Sequence, residues 1–302
     1  MLPMKKLISV LLISIFSIYT LHSQEWLTSL EVAKKLAIMQ DKMIFAVWED
    51  AMYRSGSPII INNNMYPISD LATKESHSRL IWNYFVPLII PEYTYRDLLD
   101  AIDGKRSLDY MYKFNDNHIK IMDANGNILN TSFNGNEFED MNLASILEKY
   151  ALNTSFLKNE LKNYALDDSF NSSFRLAIKY LDFAIFANKS IKKELLDLSD
   201  IYMKEAKEKL QNESPEKQSL FNEKIELLEI KKMVILNNPN KALRKLKRFD
   251  PTKLEDSNLP LLSFLHFASN RLLGNIGDAM VWQNKVSLAD LKKVKYLLNN
   301  NL

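Results

Sequence analysis

The sequence predicts an α/β first half followed by an all-α second half, and three observations carry that division. Residues 26 to 150 mix short apolar runs with turn signals, whereas residues 153 to 300 read almost continuously at helical period. Only 6 glycines occur among 302 residues while Lys, Asn, Leu and Ile abound, which suits helices better than the turn-dense pattern of an all-β sandwich. The breaks in the second half are short, so successive helices become antiparallel neighbours. The expected domains are residues 24–151 and 152–302.

Ahead of both halves, residues 1–23 have a different texture. Lys5 and Lys6, the uncharged apolar stretch Leu7 to Tyr19, and Leu21-His22-Ser23 before Gln24 read as the n-region, core and cleavage site of a signal peptide. The apolar core is nearer a dozen residues than the roughly 20 that a spanning helix needs. Cleavage, no stable membrane insertion, and a periplasmic or secreted product of a bacterial envelope are therefore expected.

Composition narrows the function classes. Lys and Arg number 39 against 37 for Asp and Glu, so no charge excess argues for nucleic acid or an anionic membrane surface. The chain has 0 cysteines, which excludes disulfides, thiol chemistry and the acyl anchor of a lipoprotein. An exported protein without disulfides depends on its apolar core, and 47% hydrophobic residues supply one.

Element by element, Thr28-Ser29-Leu30-Glu31 reads as a capping box that starts a helix running to about Gln40. Met43 to Trp48 is a continuous apolar run, as expected of a central strand buried on both faces. Glu49 to Ile68, with Gly56, Pro58, three consecutive Asn and Pro67, reads as a long loop around Ile59-Ile60-Ile61. A helix over Ser69 to Trp82 follows, then a buried run Phe85 to Ile90 in which Pro87 argues for an edge or a bulge. A short helix from Ser107 to Phe114 precedes a hairpin, Ile119 to Met122 and Asn127 to Leu129 flanking Asp123-Ala124-Asn125-Gly126. Glu137 to Tyr150 closes the half as a helix. The second half reads as helices near 156–164, 171–187, 190–211, 215–237, 239–248, 258–273 and 276–297, with stripes such as Phe174, Ala177, Ile178, Leu181 and Ile185 at i, i+3, i+4 spacing.

Glu25-Trp26, Ala33 to Ala37, Lys42 to Val47 and Ile119 to Leu129, in the order helix, strand, long loop, helix, strand, helix, hairpin, helix, resemble the thioredoxin-like fold of exported bacterial proteins. The resemblance covers residues 24 to 150. It implies a Cys-x-x-Cys pair just after the first buried strand, where this chain has Glu49-Asp50-Ala51-Met52-Tyr53-Arg54, and a cis-proline ahead of the hairpin, where it has Asn117 and His118. What the resemblance carries over is the fold and the use of that face to hold extended polypeptide. The candidate ligand-binding residues at the degenerate site are therefore Trp48, Asp50, Met52, Tyr53, Arg54, Asn117 and His118.

Other constellations have plainer readings. His77, His118 and His266 lack the spacing that puts two metal ligands on one helix face, so no metal and no cofactor are expected. Asp123, Asn125 and Asn127 imitate a calcium loop, but Ile128 and Asn134 occupy the positions that require Gly and Glu. Trp48, Met52, Tyr53, Tyr66, Trp82 and Tyr84 are either a binding surface or core. The basic run Lys241 to Arg248 reads as a solvated helix face. The expected function is a non-catalytic protein- or peptide-binding, chaperone-like module. Two alternatives remain open: a structural subunit of an envelope assembly, and a hydrolytic enzyme using His118 with Asp116, Asp123 and nearby carboxylates.

Overall fold

Residues 25–53, 58–132 and 141–299 are described by the structure, a computed structural model. The signal-peptide reading, Arg54 and the start of the helix expected from Glu137 lie outside the described residues. The sheet is organised by β1 (Met43–Trp48), whose six residues are all buried. β4 (Phe85–Ile90) runs parallel along one side of it and β5 (Lys120–Met122) antiparallel along the other. Apolar side chains on both faces are what this sandwiched position requires. Phe45 packs between Trp26 and Phe85, with ring centroids 5.6 and 5.5 Å away.

Pro87 pairs opposite Phe45 without a bulge. Its carbonyl accepts the Leu27 N–H at 3.2 Å, so its donor-less nitrogen faces the outer side of β4, and the ladder to β1 loses nothing. At the other side, Gly126 (φ 88°) is the single residue of its turn with positive φ. The Asp123 carbonyl accepts Gly126 N–H at 3.0 Å, a type I turn closed by a left-handed glycine, and the returning segment makes one bridge, Met122 to Ile128.

Several sequence expectations are corrected. α1 (Leu30–Gln40) is capped by Ser29, whose hydroxyl accepts Val32 N–H, one residue later than the box placed it. Glu49 to Ile68 is not a long loop: it contains α2 (Glu49–Tyr53) and a hairpin of β2 (Pro58–Ile61) and β3 (Asn64–Pro67). Asn62 and Asn63 turn that hairpin at φ 51° and 64°, the left-handed pair that a two-residue type I′ turn demands and that Asn tolerates. The helix expected over Ser69 to Trp82 is broken at extended Lys74 into α3 (Asp70–Thr73) and α4 (Glu75–Tyr84). α5 (Tyr95–Ile102) is an unforeseen helix, while α6 (Leu108–Asn115) covers the helix expected over Ser107 to Phe114, with Ser107 as its cap. α7 (Leu143–Tyr150) is capped by the Asn142 side chain.

The second half is helical throughout: α8 (Lys158–Leu166), α9 (Phe170–Phe186), α10 (Lys192–Leu210), α11 (Pro215–Ile235), α12 (Pro239–Leu246), α13 (Leu259–Leu272), α14 (Ile276–Gln283) and α15 (Leu288–Asn299). The last expected segment is split in two, Ser287 capping α15 through the Asp290 N–H at 3.1 Å. α9 and α10 pack together, Phe174, Ala177 and Leu181 facing a stripe of Leu198, Tyr202 and Ala206, all buried.

The apolar core runs without interruption from the first half into the second. Polar groups join the halves as well. The fully buried Asp123 carboxylate accepts the hydroxyls of Tyr180 at 3.0 Å and of Tyr202, while its other oxygen accepts the Asn125 and Asn127 N–H groups, both at 2.9 Å. Buried Glu194 pairs with Lys149 (3.1 Å) and the Tyr150 hydroxyl (3.0 Å) across the same boundary.

Candidate functional site

β1 and β4 run parallel, so their carboxyl ends open on one end of the sheet, the usual place for a site in an open α/β sheet. The start of β5 lies at the same end because β5 pairs antiparallel to β1. Three segments converge there: α2 after Trp48, the turn at Glu92 after β4, and Asp116 to Lys120 before β5.

Glu49 and Glu92 clasp the first two. The Glu49 carboxylate accepts Glu92 N–H at 3.2 Å, and the Glu92 carboxylate accepts Asp50 N–H at 3.1 Å. Acidic side chains at the start of α2 also suit the positive end of the helix dipole. α6 is fastened to the second segment by the Tyr95 hydroxyl, which donates to Asn115 Oδ1 at 2.6 Å.

In the third segment Lys120 is fully buried and spends its ammonium on the Asp116 carbonyl (2.7 Å), the Asp116 carboxylate (2.9 Å) and the His118 carbonyl (3.0 Å). Burial pulls its pKa down to about 8, although the Asp116 charge works the other way. Burial alone favours neutral Asp116, but the hydrogen bond with His118 and the charges of Lys120 and Lys113 outweigh it and hold the carboxyl well below the usual range. The Asp116 carboxylate meets Lys113 at 3.2 Å and His118 Nδ1 at 3.4 Å.

The candidate residues separate into different environments. Trp48 is core: its indole N–H donates to the Phe114 carbonyl at 2.8 Å and its ring packs edge-on to Phe114 at 5.3 Å, leaving it 3% exposed. The binding-surface reading of Trp48 is therefore corrected, because a ring at the end of a strand buried on both faces fills the layer beneath the site. Met52 is half-buried against the same core, and Asp50 contributes its backbone N–H to the clasp. Tyr53 is 81% exposed. Asn117 and His118 are half-buried, and every peptide bond among the described residues is trans.

Asp116 and His118 are brought together, but Asp123 is not with them; it is sealed against Tyr180 and Tyr202. Asp116 is saturated by cations and lacks the proton affinity that a base at neutral pH needs. The calcium-like triplet has its carboxylate occupied by the two tyrosines and two backbone N–H groups. Among the described residues, no group of three His, Cys, Asp or Glu side chains is arranged to hold a metal ion.

Sequence reasoning missed two exposed tyrosines at this end, Tyr93 (84%) and Tyr112 (80%), the latter one turn from exposed Leu108 (79%). The segments carrying Tyr53, Tyr93 and Tyr112 are those the Glu49–Glu92 clasp and the Tyr95–Asn115 bond hold together. The available signal was α6 itself, apolar on more than one face and unable to bury all of them. Elsewhere Tyr66 packs edge-on to His77 at 5.6 Å, Trp82 is half-buried and Tyr84 is 47% exposed. His266 stacks on Trp282 at 4.2 Å, and burial lowers its pKa to about 4. In the basic run, Ala242 and Leu246 are buried while Lys241, Arg244, Lys247 and Arg248 are exposed, as a solvated helix face requires.

Among the described residues no helix is long and apolar enough to cross a membrane. Comparisons of the chain with protein-family models, curated proteins and solved structures find no significant match.

Proposed function

We propose that the chain is a redox-inactive thioredoxin-like unit fused to a helical one, and that it binds extended or unfolded polypeptide as a non-catalytic module of the bacterial envelope. The order α1, β1, α4, β4, α6, the β5 hairpin and α7 supports the thioredoxin-like reading, with α2, the β2–β3 hairpin and α5 as additions. The envelope location rests on the signal-peptide reading of residues 1–23.

The observation that carries the binding role is the trio Tyr53, Tyr93 and Tyr112, each about four-fifths exposed, at the end of the sheet where the resemblance implies a dithiol. Exposed tyrosines provide large contact area at small entropic cost, and such residues dominate binding energetics. The saturated Asp116–Lys120 pair beneath them favours a rigid platform over acid–base chemistry.

The test is anisotropy titration of a fluorescent, carboxymethylated unfolded polypeptide against wild type, the Tyr53→Ala/Tyr93→Ala/Tyr112→Ala variant and a control variant, Met280→Ala/Val281→Ala, altered on exposed residues of α14. Loss of at least about tenfold in affinity in the triple variant alone supports the proposal, since each anchor is worth roughly 1 kcal/mol or more. Equal binding by all three proteins, or none by wild type, overturns it.

A further inference from the structure

A cleft of about 470 Å³ lies between the start of α6 and α10, at the opposite end of α6 from the strand-end face. This volume is within the range of small-molecule sites. α10 lines it with Lys193, Asp197, Asp200, Ile201 and Lys204, the turn into α6 adds Lys105 and Arg106, and the first turn of α6 adds Asp109.

The charges in this cleft are incompletely matched by one another. Lys204 donates to the Lys105 carbonyl (3.1 Å) and Lys105 to the Ala101 carbonyl (3.0 Å), so both ammonium groups rest on neutral acceptors. Arg106 bonds Glu205 at 3.1 Å and Asn127 at 3.0 Å, and its Nε has no acceptor among the described residues. Asp200 is neutralised by Lys232. The carboxylates of Asp109 and Asp197 make no hydrogen bond or ion pair among the described residues. Burial raises the Asp197 carboxyl; Lys193 opposes this, and repulsion from Asp200 and Asp109 adds to it. Along α10 the cleft thus runs from Lys193, which attracts Asp197, through Asp197 and Asp200 to Lys204, with Lys105 and Arg106 at the Lys204 end and Asp109 close enough to repel Asp197.

The placement of these residues along α10 selects the ligand class. The Cα atoms of Asp197 and Lys204 are seven residues apart on α10, about 10 Å along the helix axis at 1.5 Å per residue. A free amino acid carries its two charges too close together to meet both, whereas an extended chain advances about 3.3 to 3.6 Å per residue, so three residues span the distance. We infer that the cleft binds a short peptide of about three residues by its two termini, the ammonium on Asp109 and Asp197 and the carboxylate on Lys105, Arg106 and Lys204. The Thr131 and Ser132 residues and the Ile201 side chain line the space between. This site is independent of the strand-end face and of the polypeptide-binding reading attached to it.

Calorimetric titration of the protein with trialanine, Nα-acetyl-trialanine, trialanine amide and free alanine tests the inference, alongside the variants Asp197→Asn and Lys204→Met. Both positions are at least partly exposed, and the wild-type series stands without the variants. Trialanine is expected to bind wild type at least tenfold tighter than either capped peptide or alanine. Asp197→Asn should abolish the preference for a free amino terminus while retaining that for a free carboxylate, and Lys204→Met should do the reverse. Absence of trialanine binding, capped peptides binding as well as trialanine, or variants that keep both preferences would each overturn it.

Discussion

Replacing Tyr202 by Phe isolates the hydroxyl at the centre of the bond network between the halves. The ring stays, with its packing on Tyr180 (5.5 Å) and Tyr164 (4.9 Å). What is lost is the donor to the Asp123 carboxylate and the acceptor for the side-chain amides of Asn127 at 3.0 Å and Asn125 at 3.3 Å. A hydrogen bond to a charged group contributes about 1.5 to 3 kcal/mol, and an orphaned buried amide costs about 1 kcal/mol or more. The expected loss is about 3 kcal/mol, or roughly 5 °C in Tm for a chain of this size. Urea unfolding followed by tryptophan fluorescence reads it in both halves, through Trp26, Trp48 and Trp82 in the first and Trp282 in the second. The pH dependence has a definite sign. Burial raises the Asp123 pKa above its unfolded value, against the hydrogen bonds that oppose it, so its contribution is greatest below the unfolded pKa and declines as pH rises through the folded one. Tyr202→Phe removes one of those bonds to the carboxylate, so the defect is largest above the folded pKa, where Asp123 is ionised, and shrinks on acidification, when Asp123 takes up its proton. A loss under about 1 kcal/mol, or a defect that grows at acid pH, refutes the reasoning.

Three further outcomes follow from other residues. Phe45→Ala, at a ring with 0% exposure between Trp26 and Phe85, should lower unfolding stability by about 3 to 5 kcal/mol in urea titrations. Asn63→Gly should leave stability unchanged or slightly raised, while Asn63→Val, forced to φ 64°, should lose about 1 to 2 kcal/mol or more by the same measurement. Because burial depresses Lys120 to about 8, the folded chain binds fewer protons than the unfolded one between about pH 8 and 10.5, and this group's contribution rises with pH in that window. The stability of wild type relative to Lys120→Met should therefore increase from pH 8 to 10; a flat or falling difference contradicts the assignment.

Features that depend on local pattern were legible in the sequence. Six consecutive apolar residues marked β1 as central, Pro87 marked β4 as near an edge, and Ser, Pro and Gly punctuation marked most helix ends of the second half to within a few residues. The β2–β3 hairpin was hidden because Asn62-Asn63-Asn64 reads equally as loop and as type I′ turn, and only pairing across the turn decides between them. α2 follows β1 without any break that would announce a helix. The bonds from Asp123 to Tyr180 and Tyr202 span 57 and 79 positions, and no local signal reports such a partner. The one clue was a hydroxyl-bearing side chain, Tyr202, inside an otherwise apolar stripe, since a buried tyrosine needs an acceptor. At the strand ends, the residues inferred from the resemblance included Trp48, which the structure buries, and left out Tyr93 and Tyr112, which it exposes at the same end of the sheet. Position after a strand locates a residue along the chain; which side of a short helix meets solvent is decided by what packs on the other.

The outer margin of β4 bears on self-association. Its outward-facing residues are Phe85, Pro87 and Ile89. Phe85 N–H is used by the Ile81 carbonyl, Pro87 has none, and Ile89 N–H is taken by Leu27 at 2.8 Å. A foreign strand approaching this margin finds no donor to start a ladder, and addition of strands at an exposed sheet edge is the common seed of fibrous aggregation. One proline, one helix terminus and one residue of the preceding segment together close the row.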